Sequence, residues 1–261
     1  MSKAKLLAIA NTIFFIATIV VNGLANGLPL NGKNTGELSD LYPNLFVPAG
    51  LTFSIWGLIY LLLLIFIIYQ LIIAFGPAED KSLLTIVGPW FILSSFANCC
   101  WIFAWHYLLP GLSLAIMLIL LFSLIKIYLN INKHLPESTT MNYLVRPCFS
   151  IYLGWITVAT IANTTTVLVS FGWNGGSFDP AFWTILMIAV ATVMGIYFSI
   201  VKRDYYYTLV ILWALFGIYL KRSADTELLS NIIMATKLGM MMCAIIMLYY
   251  PLNKLFKSIL Q

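Results

Sequence analysis

The sequence predicts an all-α polytopic membrane protein of about eight transmembrane helices, and three observations carry that prediction. Of its 261 residues 62% are hydrophobic and only 9% charged, where a soluble domain carries roughly 25% charged residues. The apolar residues form continuous runs such as Leu58 to Ile68, without the every-second-residue alternation of a membrane barrel. A helix needs about 20 residues to cross a hydrocarbon core of ~30 Å. Segments of that kind can be drawn at 6–24, 49–75, 83–107, 109–131, 143–171, 180–201, 205–220 and 228–250.

The first segment follows Lys3 and Lys5 and ends near Gly23-Leu24-Ala25, a pattern that also fits a cleavable leader. Gly23 and Gly27 are spaced to allow close helix contact, or they simply end the helix. The connection at 25–48 is the longest outside the apolar segments. Its two Asn-Gly pairs, three prolines (Pro29, Pro43, Pro48) and two acids (Glu37, Asp40) suit turns. Later connections are short. Ten basic residues lie on the N-terminal side of the membrane in this arrangement (Lys3, Lys5, Lys81, Lys126, Lys133, Arg146, Lys202, Arg203, Lys254, Lys257), against Lys33, Lys221 and Arg222 on the other. Positive flanks stay in the cytoplasm, so the expectation is a multi-pass protein of the cytoplasmic membrane with both termini cytoplasmic. The net charge of +5 is thereby absorbed in topology, and no basic cluster points to nucleic acid.

The nine acids, among them Asp179, Asp204 and Asp225, all fall in loops or at helix ends. A carboxylate proton relay across the membrane is therefore not expected. No HExxH, GxSxG, P-loop or dinucleotide fingerprint occurs. Cys99, Cys100, Cys148 and Cys243 have no metal-ligand spacing and read as packing residues. No cofactor is required by any of this, and a binding protein is expected before an enzyme. An enzyme would have to use tryptophan-mediated oxidative chemistry or a bound cofactor.

Aromatic residues make up 15% of the chain. Trp90, Trp173 and Trp183 sit near segment ends, as interfacial rings do. Others mark helix faces: Trp56 and Tyr60 in the second segment, Asn98, Trp101 and Trp105 in the third, and Trp155, Ala159 and Asn163 in the fifth. Buried amides need partners, so these faces should turn inward. Aromatics beside them would line a cleft suited to a tetrapyrrole, sterol-like or other flat ligand. Generic packing between helices accounts equally well for any one stripe taken alone. His106 reads as a membrane-edge histidine, with axial ligation of a haem iron as the alternative. His134 reads as a loop residue. Lys237, inside the last segment, reads either as a contact for an anionic ligand or lipid group or as a side chain snorkelling to the interface.

These residues resemble the TspO/MBR family of tryptophan-rich sensory proteins, related to the mitochondrial translocator protein. Pro48, Trp56 and Tyr60 keep the spacing of the family's second-helix motif. Asn98 and Trp101, followed by Trp105-His106, match the third, and Tyr152, Leu153, Trp155 and Asn163 match the fifth. Val47, Gly50, Thr52 with Phe53 next to it, and Ile151 depart from the pattern. The resemblance covers 1–172 and implies a five-helix bundle with a retained first helix, a pocket covered by the loop after it, and a three-helix extension over 173–261. It implies a sensor or carrier of porphyrin, haem or similar flat hydrophobic molecules, a homodimer in many members, and ligand contacts at Trp56, Tyr60, Asn98, Trp101, Trp155 and Asn163. A secondary transporter of a hydrophobic or anionic small molecule is the rival reading, suggested by the extra helices and Lys237.

Overall fold

The computed structural model describes all residues except 29, 79, 135–139, 226–228 and 260–261, with 250–259 described as backbone. Glu79, Glu137 and Glu227 therefore lie outside the described residues. Among those described there are nine α-helices and no strand: α1 (Lys3–Gly27), α2 (Thr35–Asp40), α3 (Ile55–Phe75), α4 (Ser82–His106), α5 (Pro110–His134), α6 (Arg146–Ser170), α7 (Pro180–Ile200), α8 (Tyr205–Ser223) and α9 (Ser230–Ile259). The chain is a polytopic all-α membrane protein. Seven of the long helices are apolar enough to cross a bilayer. The exception is α8, which opens on Tyr205-Tyr206-Tyr207 and closes on Lys221-Arg222; its 19 residues still reach about 28 Å.

Polar side chains set the helix starts. Asp179 accepts from the Phe182 N–H with Pro180 in the first turn, and Asp204 accepts from the Tyr207 N–H. The expected turn region between the first two spans contains α2. There Asn34 and Glu37 form a reciprocal capping box, which satisfies the donors that a short helix otherwise leaves open.

The chain divides into two compact units, and the division is not a single cut: residues 1–42 and 54–167 form the first, residues 43–53 and 168–261 the second. In the first unit α1 packs on α4 and α3, and α4 packs on α5. The buried residues of α1, Ala4, Ala8, Asn11, Phe15, Thr18, Asn22 and Ala25, alternate in steps of four and three, the seam of a helix lying along its neighbours. Polar side chains fix its register. The Asn11 amide donates to Gln70 Oε1 on α3 at 2.8 Å, Thr18 donates to the Ser95 carbonyl of α4, and the Asn22 amide donates to Asn98 Oδ1 at 2.7 Å. This helix is an integral member of the bundle. Gly23 and Gly27 are exposed, with open space where a Cβ would stand; Gly27 ends α1, Gly23 lies one turn before it, and neither makes a close helix contact.

The second unit packs α7, α8 and α9 against one another. Small residues let the backbones approach: a Cβ on Gly239 would meet Thr192 Oγ1 at 2.5 Å, and one on Gly195 would meet Cys243 Sγ at 3.1 Å. Thr208 donates to the Gly195 carbonyl at 2.8 Å and pairs with the Ser199 hydroxyl at 2.8 Å, while the Phe198 and Tyr207 rings stack at 3.6 Å. Residues 43–53 lie on α8. Phe46, Val47 and Thr52 are buried, the Ala49 N–H donates to the Gly217 carbonyl, and the Trp213 indole donates to the Thr52 carbonyl at 2.9 Å. A Cβ on Gly217 would overlap the Thr52 hydroxyl and meet Pro48 Cβ at 2.9 Å, so glycine is what permits the contact.

Candidate functional site

The first unit gathers the aromatic faces of α3, α4 and α6 around one ring, that of Trp56. A spacing of four residues puts Tyr60 one turn further along α3, and the two rings stack at 5.5 Å with 20° between planes. Trp101 of α4 lies 6.2 Å from Trp56, and Trp105, again four residues on, stacks on Trp101 at 5.8 Å. From α6, Tyr152 and Trp155 meet Trp56 edge-on at 5.9 and 6.3 Å. Offset and edge-on pairs of this kind are the favourable ring arrangements. Trp101, Tyr152 and Trp155 are buried, whereas Trp56 and Tyr60 are only half-buried.

An amide chain underlies the rings. Asn98, with no exposed surface, accepts from Asn22 of α1 and donates to the Tyr152 hydroxyl at 3.0 Å. It thereby ties α1, α4 and α6 together beside Trp56. The indole N–H of Trp101 is buried with no hydrogen-bond partner, a donor that a bound acceptor would satisfy. Five of the six residues expected at the site, Trp56, Tyr60, Asn98, Trp101 and Trp155, thus come together. Asn163 stands apart. It lies eight residues beyond Trp155, about 12 Å along α6, where its amide donates to Ser113 of α5 at 2.7 Å and its own Oδ1 is buried without a partner.

The loop after α1 is tied to the end of α4. His106 is fully buried. Its Nδ1 contacts the Leu30 carbonyl at 3.0 Å, its Nε2 the Thr35 hydroxyl at 3.2 Å, and its backbone carbonyl accepts from Asn31. The Trp105 indole adds a bond to the Thr35 carbonyl at 3.2 Å. Both imidazole nitrogens are engaged, so this histidine anchors the loop and has no free nitrogen for an iron. His134 is the last residue of α5 and not a loop residue. Arg146, counted among the basic residues of the N-terminal side, opens α6 and bonds to Asn142.

Three participants lie outside the six expected contacts, one of them, Tyr152, a match to the fifth-helix motif. Tyr152 lies three residues before Trp155 on the same helix face. Asn22 occupies the 4–3 seam of α1, and Tyr42 brings its ring to 6.2 Å from Trp105. The first two were recoverable from spacing; the third depends on the path of the loop.

A family model described as TSPO-like protein matches residues 8–250. The chain belongs to the TSPO-like family. Nothing among curated proteins or solved structures matches it. The TSPO-like match continues through α7 and α8 into α9, well past residue 172, where the motif resemblance stops. The match thus covers α7, α8 and most of α9.

Proposed function

We propose that this TSPO-like membrane protein binds a flat hydrophobic molecule of the tetrapyrrole kind and acts as its sensor or carrier in the cytoplasmic membrane. The observation that supports this most is the ring cluster on Trp56, with the unpartnered indole N–H of Trp101 inside it. A planar ligand gains by stacking on such faces and needs few directional bonds to orient it. Trp56 and Tyr60, half-buried and stacked on each other, are the more exposed rings of the cluster. Trp101 supplies the donor, and the Asn98 amide chain holds the walls.

Sensing or carrying is favoured over transport because Lys237, the intramembrane cation that suggested an anionic substrate, is exposed on the surface of the second unit. The charge asymmetry of ten basic residues against three supports cytoplasmic termini.

The test is titration of the detergent-purified protein with protoporphyrin IX, read by tryptophan fluorescence, beside Trp101→Phe, Trp155→Phe and Asn163→Ala. The reading expects saturable quenching. Trp101→Phe, which keeps an aromatic ring but removes the indole N–H and some stacking area, should weaken binding at least about fivefold, the worth of one hydrogen bond. Asn163→Ala should leave affinity nearly unchanged if the site is the cluster on Trp56. Quenching that does not saturate, or that is indifferent to Trp101 and Trp155, refutes the site.

A further inference from the structure

We infer that the second unit holds the phosphate of an anionic lipid headgroup at the end of α8, between Lys237 of α9 and Arg222. Lys237 stands seven residues into α9, about 10 Å from its start, and is exposed among the exposed apolar side chains Met234, Leu238 and Met241. An ammonium on a lipid-facing surface is costly and calls for a counter-group. Among the described residues its contact is the face of Tyr219, 5.3 Å from the ring centroid. That ring belongs to α8 and lies three residues before Arg222, on the same helix face.

Arg222 is the second observation. It is 6% exposed. Nη1 pairs with Asp225 at 2.9 Å, but Nε is buried without a partner. A buried guanidinium N–H left open is a donor awaiting an acceptor. The single carboxylate described here, Asp225, is already committed to Nη1, and Lys221 adds a third cation at the same end of α8. Tyr219 thus carries Lys237 on its ring, with Arg222 one turn further along the same helix, which puts two cations at one end of α8, within reach of the interface for a lysine stem. The anion the bilayer presents at that depth is the headgroup phosphate, and the positive excess favours a lipid with net negative charge.

The experiment is native mass spectrometry of the full chain, delipidated and then offered phosphatidylglycerol and phosphatidylcholine in equal amounts. Lys237→Gln, Tyr219→Leu and Lys202→Gln are run in parallel. Lys202 also sits over a tyrosine, Tyr197 at 5.8 Å, but is far from α8's C-terminal end in sequence. The wild type should retain one phosphatidylglycerol in preference to phosphatidylcholine. Lys237→Gln should lose about fivefold of that preference, the effect of one surface cation, and Lys202→Gln should not lose it. Tyr219→Leu should fall between the two. Equal retention of both lipids by the wild type, or preference undiminished in Lys237→Gln, overturns the site. Displacement of the retained lipid by millimolar inorganic phosphate would overturn the lipid assignment in favour of a free phosphate.

Discussion

Gly217→Ala tests the close contact between residues 48–52 and α8. In an unconstrained helix the change from glycine to alanine stabilises by about 1 kcal/mol, because alanine loses less backbone entropy. Here the new methyl would overlap the Thr52 hydroxyl and press on Pro48 Cβ at 2.9 Å and Thr52 Cβ at 3.0 Å. The hydroxyl can rotate away, but the two Cβ atoms are carried by the backbone and must shift with it. Overpacking of this kind costs about 1–3 kcal/mol, so the net change is a loss of up to about 2 kcal/mol. At roughly 2–4 °C per kcal/mol, Tm should drop by up to about 8 °C, measured by circular dichroism or intrinsic fluorescence in detergent. Gly23→Ala is the control: the same change in α1, where a Cβ meets nothing within 4 Å, should raise Tm. Adding Thr52→Ala to Gly217→Ala should recover part of the loss by removing the overlapping oxygen. Equal stabilisation by Gly217→Ala and Gly23→Ala would show that glycine is not required for the contact.

Three further changes probe other links. In a double-mutant cycle of Asn98→Ala with Tyr152→Phe the coupling should be about 0.6–1.7 kcal/mol, the range for side-chain bonds between membrane helices; a coupling of zero would mean that the 3.0 Å bond holds nothing together. Leu108 closes α4 with φ of 58°, in the left-handed region that costs a side-chain-bearing residue about 1–2 kcal/mol, and is 41% exposed. Leu108→Gly should therefore raise Tm by a few degrees, and a fall would show that its packing outweighs the backbone cost. His106→Ala removes two side-chain bonds from the loop after α1, so limited proteolysis between residues 30 and 35 should accelerate, with a stability loss of about 1–3 kcal/mol and unchanged helix content. Protection equal to wild type would mean that Trp105 alone secures the loop.

Much of the bundle was legible in the sequence because a bilayer admits few solutions: a long uncharged run has to be a helix. The faces bearing Trp56, Asn98, Trp101 and Trp155 were legible for a related reason, since three- and four-residue spacing places side chains on one side of a helix whatever it packs against. Asn163 shows where that reasoning ends. It shares the face of Trp155, but the same face two turns on meets a different neighbour, Ser113, and periodicity says nothing about which helix comes opposite. The loop contacts of His106 were not legible, because its partners, Leu30 and Thr35, are more than 70 residues away in a loop, and no local pattern announces a fold-back. The assignment of residues 43–53 to the C-terminal helices was equally hidden. Gly217 and Thr52 become informative only once they touch.

That assignment bears on how the chain is made. The Trp213 indole bond to Thr52 joins positions 161 residues apart. At a synthesis rate of roughly 5–20 residues per second, about 10–30 s pass between the emergence of Thr52 and that of the helix that receives it. The five long helices of the first unit can insert in that interval, while Pro43 to Phe53, immediately upstream of Trp56, waits without its partner. Residues 43–53 are therefore among the last parts of the molecule to reach their place, and a chain released before α8 is complete would carry that segment undocked.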